Sequence, residues 1–349
     1  MFTRSQRAEI DRFAAVSDVW GSFVNNCISS YNPGRHITID EQLFPSKTRC
    51  TFLQYIASKP DKFGIKFWVA CDLKSKYICN VLPYLGKDPS RPSEERLSES
   101  VVMKLIEPFM DKGRTVTTDN FFTSLSLAQR LRSRRTSILG TVNKIRREIP
   151  QSTRQKDQAE FTTTLTVHVA KRKKMVYVLS SMHTVIENED TPKKKPNTVT
   201  KYNTTKCGVD VMDQMVREYS VRAPTRRWPV AVFYNMIDMA ALNAYIVHKA
   251  CTGVQERRVD FLIELAKELA KSHLSAKKAH KEEVRLQQPL TPSPGKRAKC
   301  LVKRQCIQNS ASVRCFHWYK YTCGKCKKET PWECQACCDT DTADGLQEH

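Results

Sequence analysis

Apolar residues recur at three- and four-residue steps near the start of the chain, at Ile10, Phe13, Val16, Val19, Trp20 and Phe23. That period predicts one or two helices over 1–31. YNPGRH (31–36) is a turn carried by Pro33 and Gly34, and ITIDEQL (37–43) is a short extended piece. The runs 64–72 and 76–82 are rich in β-branched and aromatic residues, with polar DLKS between them. They predict a hairpin. A loop over 83–95, a helix over 94–111, a strand at RTVTTDN, a helix over 123–134 and a strand over 137–142 follow. FTTTLTVHVA and KMVYVLSS alternate like two strands, and 190–206 reads as a linker. Three helices are expected over 207–222, 228–250 and 258–273, then a flexible basic tether over 274–299. No internal repeat is visible. The opening hairpin makes the sheet mixed, so the pattern predicts an α/β core of nuclease type.

Four carboxylates stand where packing does not explain them. Asp72 ends GIKFWVACD (64–72), Asp119 ends TVTTDN (115–120), and Asp210 and Asp213 lie in GVDVMDQM (208–215). Acids at strand tips and at i, i+3 on one helical face can converge on a divalent cation. Mg²⁺ held by such oxygens serves in-line phosphoryl transfer. Each Asp taken singly also suits a cap or a turn, and Asp119-Asn120 before a helix fits a cap well.

The chain has 349 residues and a net charge of +22, which favours a polyanion such as DNA or RNA as partner. Of the 14 cysteines, eight fall between Cys300 and Cys338, and the other six are scattered among apolar residues. That distribution reads as reduced thiols plus a metal-binding tail rather than a disulfide framework. Cys323-x2-Cys326 and Cys334-x2-Cys337 are knuckles at zinc spacing, and Cys300, Cys306, Cys315 and His317 are candidates for a second site. One or two Zn²⁺ ions are expected there. No apolar stretch reads as long enough to span a membrane, and no signal peptide opens the chain. The first residues look like the middle of a helical domain, so a truncated start is expected. Arg226, Arg227 and Trp228 suit either a DNA contact or a helix start buried in the core, and Lys193, Lys194 and Lys195 suit DNA backbone. KKKP (193–196) and GKRAK (295–299) resemble nuclear import signals.

The strings PGRHITIDEQL (33–43), KPDKFGIKFWVACD (59–72), KYICNVLPYLGK (76–87), TTDNFFTSLSLAQRL (117–131), LGTVNKIRREIP (139–150), KYNTTKCGVDVMDQM (201–215) and RRWPVAVFYNMIDMAALNAYI (226–246) strongly resemble the piggyBac transposases and proteins derived from them. The resemblance runs in order from about 16 to 250. It implies an RNase H-like catalytic core of the DDE/D type with an inserted β-rich domain, flanking helices and a C-terminal zinc module of cross-brace form. It assigns the catalytic acids to Asp72, Asp119 and Asp210, which would ligate two Mg²⁺, and a further motif acid to Asp213. Asp40, in the first string, is read as structural or supporting.

The implied activity is metal-dependent strand cleavage, hairpin formation and strand transfer at TTAA sites. The partner would be double-stranded DNA carrying terminal repeats, the location the nucleus, and the state a homodimer if the full N-terminal region is present. The implied boundaries are 1–35 for a remnant helical region, 36–145 and 201–255 for the core, and 146–200 for the insertion. Beyond these lie 256–299 for a helical segment and linker, 300–338 for the cysteine module, and 339–349 for a tail. One departure is Cys207-Gly208 where the family has Gly-Gly, a bulkier residue expected to shift the metal site. The alternative is a catalytically silent DNA-binding derivative. An unrelated metal-dependent nuclease fits the acids but not the ordered strings.

Overall fold

The computed structural model describes residues 11–57, 59–87, 91–92, 94–143, 163–171, 174–190, 194–287, 298–302, 306, 310–311, 313–315 and 320–326. The chain divides into two compact units, Met1–Leu262 and Ile263–His349.

The first unit is a mixed sheet dressed with helices. Helix α1 (Ser17–Ser29) leads into strand β1 (His36–Pro45), the short β2 (Leu53–Tyr55), β3 (Phe63–Asp72) and β4 (Ile78–Pro83). Helix α2 (Leu97–Ile106), β5 (Thr115–Thr118), α3 (Leu125–Ser133) and β6 (Ser137–Thr141) follow. Then come β7 (Thr164–Lys171), β8 (Lys174–Ser180), α4 (Asn197–Thr205), α5 (Gly208–Glu218) and α6 (Trp228–Thr252).

The strand order is β2-β3-β1-β5-β6-β8-β7, with β4 also on the outer side of β3. β3 runs antiparallel to β1, whereas β5 runs parallel to β1 and β6 parallel to β5. Crossover helices α2 and α3 supply the parallel connections, as parallel strands require. β3 reads as an unbroken apolar run because nearly every residue from Ile65 to Asp72 is buried. Its core neighbours include Trp20 stacked on Phe67 at 5.1 Å.

The expected hairpin over 64–82 is present, antiparallel with a bulge at Ala70/Cys71. Three expectations change. ITIDEQL, expected as a short extended piece, is part of a ten-residue central strand bonded on both sides. Within the stretch assigned to an insertion, β8 pairs with β6 and β7 with β8, so these strands extend the core sheet. The 190–206 linker contains helix α4, whose Val199 and Tyr202 pack on Leu139 and Val178. Its many Thr and Asn residues hid it, since those side chains compete with helix formation when no packing opposes them.

Helix α6 is long and apolar enough, by length and composition alone, to cross a membrane, so the reading that no stretch was long enough is corrected. Its apolar face belongs to the protein core: Val232, Met239 and Leu242 are buried in it. Its polar residues are tied to neighbours, with Asn243 bonding both the N–H and the carbonyl of Ile78.

Close approach of α5 to β1 rests on Gly208. A Cβ there would lie 2.4 Å from Thr38 Oγ1, whose hydroxyl donates to the Thr205 carbonyl at 2.8 Å. Gly208→Ala is therefore expected to push α5 off β1 and to cost about 1–3 kcal/mol, the usual range for overpacking. Urea unfolding would read this as a lower midpoint at unchanged slope; an unaltered midpoint would refute it. Cys207, the departure from the family pattern, is exposed.

The second unit contains most of helix α7 (Arg258–Gln287) and short strands β9 (Ala298–Lys299), β10 (Ser310–Ala311), β11 (Val313–Arg314) and β12 (Tyr321–Thr322). The expected tether over 274–299 is helical as far as Gln287. Its Ala, Leu, Lys and Glu are good helix formers despite their charge.

Candidate metal and nucleic-acid sites

Parallel pairing of β1 with β5 sets Ile39 opposite Thr118. The next residue on each strand is an acid, Asp40 and Asp119. Carboxylate oxygens of Asp40, Glu41 and Asp119 all lie within 4.8 Å of one another. Gly140 keeps this strand end tight, because a Cβ there would meet Thr123 Oγ1 at 2.1 Å and the Thr118 carbonyl at 2.7 Å. Asp119 is not the cap of α3. Ser124 takes that place, accepting from the Leu127 N–H at 3.1 Å. Asp119 instead accepts from the Phe121 N–H at 3.0 Å and aims into the acid cluster.

Burial pushes the Asp40 carboxyl up to about 8, helped by the charge of Glu41 and opposed by the Glu41 N–H that donates to it at 2.7 Å. Asp119 is also raised, chiefly by burial. Half-buried Lys66 is lowered by burial, although Glu41, Asp119 and Asp40 favour its charge. Its ammonium sits 3.7 Å from the Trp68 ring, and Phe121 stacks on Trp68 at 5.5 Å. Three acids this close resist full ionisation together, and a cation among them removes the repulsion.

Asp210 stands at the first turn of α5, largely exposed, outside the three-acid group. Lys59 links the two, with its Nζ 3.9 Å from Glu41 Oε1 and 4.0 Å from Asp210 Oδ1. Asp213, one turn on, is a brace. It accepts from Gln42 Nε2 at 2.8 Å and pairs with Arg217 at 3.0 Å. Gln42 in turn accepts from Asn235 Nδ2 of α6, so through Gln42 both α5 and α6 are tied to β1.

Asp72 does not join this group. The antiparallel register sets it opposite Ile37, three residues down β1 from Asp40, about 10 Å along the strand. Its carboxylate is buried and fully engaged. It accepts from the Gly34 N–H, the Ser75 N–H and the Ser75 hydroxyl, each at 2.8 Å. Asp72 therefore fastens the β3–β4 turn to the loop before β1. Of the two, it is Asp40, expected to be structural or supporting, and not Asp72, expected to be a ligand, that the structure brings beside Asp119. The signal that could have found Asp40 is the pair Asp40-Glu41 inside an otherwise apolar strand, where two adjacent acids are hard to solvate.

Trp228 is half-buried, stacked on Phe13 at 5.7 Å and edge-on to Phe52 at 5.1 Å. The core-forming reading holds for its ring, while Arg226 and Arg227 beside it are exposed. Lys194 is exposed and Lys195 half-exposed, and Lys193 lies outside the described residues.

In the second unit, Cys300, Cys306, Cys323 and Cys326 converge, their sulfurs all within 4.8 Å of one another. The Leu301 N–H donates to the Tyr321 carbonyl at 2.8 Å, bringing Cys300 beside the knuckle Cys323–Cys326. Among the described residues, knuckle 323/326 thus groups with Cys300 and Cys306, which were expected to belong to a second site. Cys315 is buried outside this cluster. His317, Cys334 and Cys337 lie outside the described residues. Burial opposes ionisation of Cys323, but hydrogen bonds from the Cys300 thiol and from the Lys325 and Cys326 N–H groups bring it down to about 7. Cys326 is pushed up to about 12 by burial and by its thiol neighbours. Four thiolates around tetrahedral Zn²⁺ stand about 3.8 Å apart for a 2.3 Å bond, so the cluster needs little adjustment to hold one ion.

A mixed sheet with acids at adjacent strand ends and a strongly basic composition suits metal-dependent chemistry on nucleic acid. A family model described as Transposase IS4 matches residues 2–245. The chain belongs to this transposase family, within its piggyBac branch. Human piggyBac transposable element-derived protein 3 is 25% identical over 278 residues, covering 72% of this chain and 46% of that protein. Human piggyBac transposable element-derived protein 2 is 24% identical over 285 residues, with the same coverage of each chain. The chain thus spans just under half the length of these curated relatives. A piggyBac transposase synaptic complex with hairpin DNA, solved by cryo-EM, superposes with a TM-score of 0.73 at 30% identity. The match covers 95% of this chain and 76% of that one.

Proposed function

We propose that this chain is the core of a piggyBac-type DNA transposase acting on double-stranded DNA. The carrying observation is the convergence of Asp40, Glu41 and Asp119 at the ends of two parallel strands. We read the sheet, three antiparallel strands followed by two parallel ones, as an RNase H-like scaffold. Asp40 and Asp119 would hold Mg²⁺, with Glu41 beside them and Asp210 completing the set from α5. Bound there, the cation would supply activation of the attacking oxygen and charge stabilisation at the leaving oxygen.

The chain's own residues do the rest. Strand ends fix two carboxylates rigidly. The Asn235–Gln42–Asp213 brace holds α5, and hence Asp210, against β1. Lys59, between Glu41 and Asp210, and Lys66, whose charge the three acids favour, would meet a phosphate there. The charge of +22 draws in the DNA backbone. Cys300, Cys306, Cys323 and Cys326 would hold a structural Zn²⁺. The finer reading includes cleavage at element ends, hairpin formation and joining at TTAA, in the nucleus and as a homodimer. Its support is the family and the solved complex.

A second reading is a domesticated, silent DNA-binding derivative, favoured by relatives that are themselves element-derived proteins. The deciding experiment incubates the protein and Mg²⁺ with DNA carrying the terminal repeats that flank its gene and an adjacent TTAA. Nicked and hairpin products are expected. Binding without nicking would establish the second reading instead.

A further inference from the structure

A cavity of about 310 Å³ opens beside the far end of β1, between the loop after β1, the start of β3, the segment after α5, and α6. None of the acids described above lines it. Pro45 on its rim is four residues beyond Glu41 on the same strand, about 13 Å away.

Its walls have two kinds of chemistry. Phe63 and Tyr234 present aromatic surface. Phe63 is 51% exposed and lies 4.9 Å from the ring of Tyr55, itself 58% exposed. Together they make an aromatic platform leading out of the cavity. Lys47 and Arg222 bring positive charge. The acid of the lining, Asp61, is already paired with Arg217 at 2.8 Å, and no carboxylate pairs with Lys47 or Arg222 among the described residues.

The wall carrying Arg222 is built, not loose. Buried Asp238 of α6 accepts from the Ser220 hydroxyl at 2.5 Å and from the Val221 N–H at 2.9 Å. The Arg222 N–H donates to Ser220 Oγ at 3.2 Å, and the guanidinium rests over Phe44. Tyr234 and Asp238 are one turn apart on α6, so one helical face supplies both a ring and the anchor of the opposite wall.

Aromatic faces beside cations that no carboxylate holds in an ion pair are a combination that suits unpaired nucleotides, bases by stacking and backbone by charge. We infer that this cavity takes an unpaired nucleotide of the DNA strand that crosses the acidic cluster, stacking its base on Phe63 or Tyr234 and its phosphate on Lys47 and Arg222. The inference rests on the proposed DNA-processing function and names the DNA feature that function would read. A paired duplex cannot offer the base, so the cavity favours DNA with a short single-stranded extension or a hairpin tip.

The test compares the full chain on a blunt duplex with the same duplex bearing a short 3′ or 5′ extension that contains 2-aminopurine. At least about fivefold tighter binding of one extended duplex is expected, the lower end for one stacked base, with quenching of the 2-aminopurine. Phe63→Ala and Tyr234→Ala should reduce extended-duplex affinity to the blunt level while leaving blunt-duplex affinity unchanged, which also shows that the variants fold. Equal affinity of the native chain for blunt and extended DNA, or a preference that survives both substitutions, overturns the inference. Failure of every duplex to bind would instead overturn the DNA reading beneath it.

Discussion

Asp40→Asn and Asp119→Asn are each expected to reduce Mg²⁺-dependent strand cleavage by more than about a hundredfold, beyond the cost of losing an outer partner of a metal ligand. DNA affinity should change little, because it comes from distributed positive charge. Asp72→Asn is expected to behave in the opposite way. An amide in place of that carboxylate loses an acceptor for the Gly34 and Ser75 donors. The cost is about 1–3 kcal/mol of stability. Cleavage per folded molecule should persist, since the register keeps Asp72 away from Asp119. The contrast separates a ligand from a fastener. Denaturant titration and single-turnover cleavage on the same three variants measure both quantities. If Asp72→Asn abolishes cleavage at full stability while Asp40→Asn retains it, the proposed assignment is wrong.

Chelation of Zn²⁺, or Cys323→Ser, is expected to unfold the cysteine module and leave the first unit intact. The module's described core is a small cluster of Cys300, Ala311, Cys323 and Cys326, too little apolar area to fold alone. A structural zinc supplies about 10–16 kcal/mol of apparent binding energy in such modules. Metal analysis should give at least one zinc per chain in the native protein. Limited proteolysis should then cut near 298–326 only after chelation. Cys315→Ser should keep the ion held by the other four cysteines. Protease resistance that survives chelation would show that the fold stands without metal.

Much of the core was legible in the residues. Apolar runs and β-branched content located β3, β4, β5 and β6, and the three- and four-residue periods located α3, α5 and α6. These signals are strong because each element buries one face, or in β3 both, and burial is written directly in the order of residues. Helix α4 and the strand β1 were weaker. The polar surface of α4 resembles a linker until Val199 and Tyr202 find Leu139 and Val178. The seven residues at 37–43 gave no hint that they would bond on both sides.

The acids show where local reading stops. Family strings assigned the catalytic acids to Asp72, Asp119 and Asp210 and a further motif acid to Asp213, and Asp at a strand end looks the same whether it binds a cation or closes a turn. Strand register separated Asp72 from Asp119. Side chains three residues apart on a strand differ by about 10 Å in position, and only the parallel pairing of β1 with β5 brought Asp40 level with Asp119. The cysteines divide in the same way. CxxC spacing marked Cys323 and Cys326 as one half of a site, but the choice of Cys300 and Cys306 as partners required chain closure between Leu301 and Tyr321.

The sequence by itself determined the strongly positive charge, most of the order of strands and helices, the kinship, and the supply of carboxylates and thiols able to act as ligands. Such properties are sums over residues or depend on near neighbours in the chain. The tertiary structure alone decided which acids meet, which cysteines close, and that an aromatic, basic cavity opens beyond β1. Those outcomes depend on pairing between segments distant in sequence, and one strand's register sets all of its cross-strand neighbours at once.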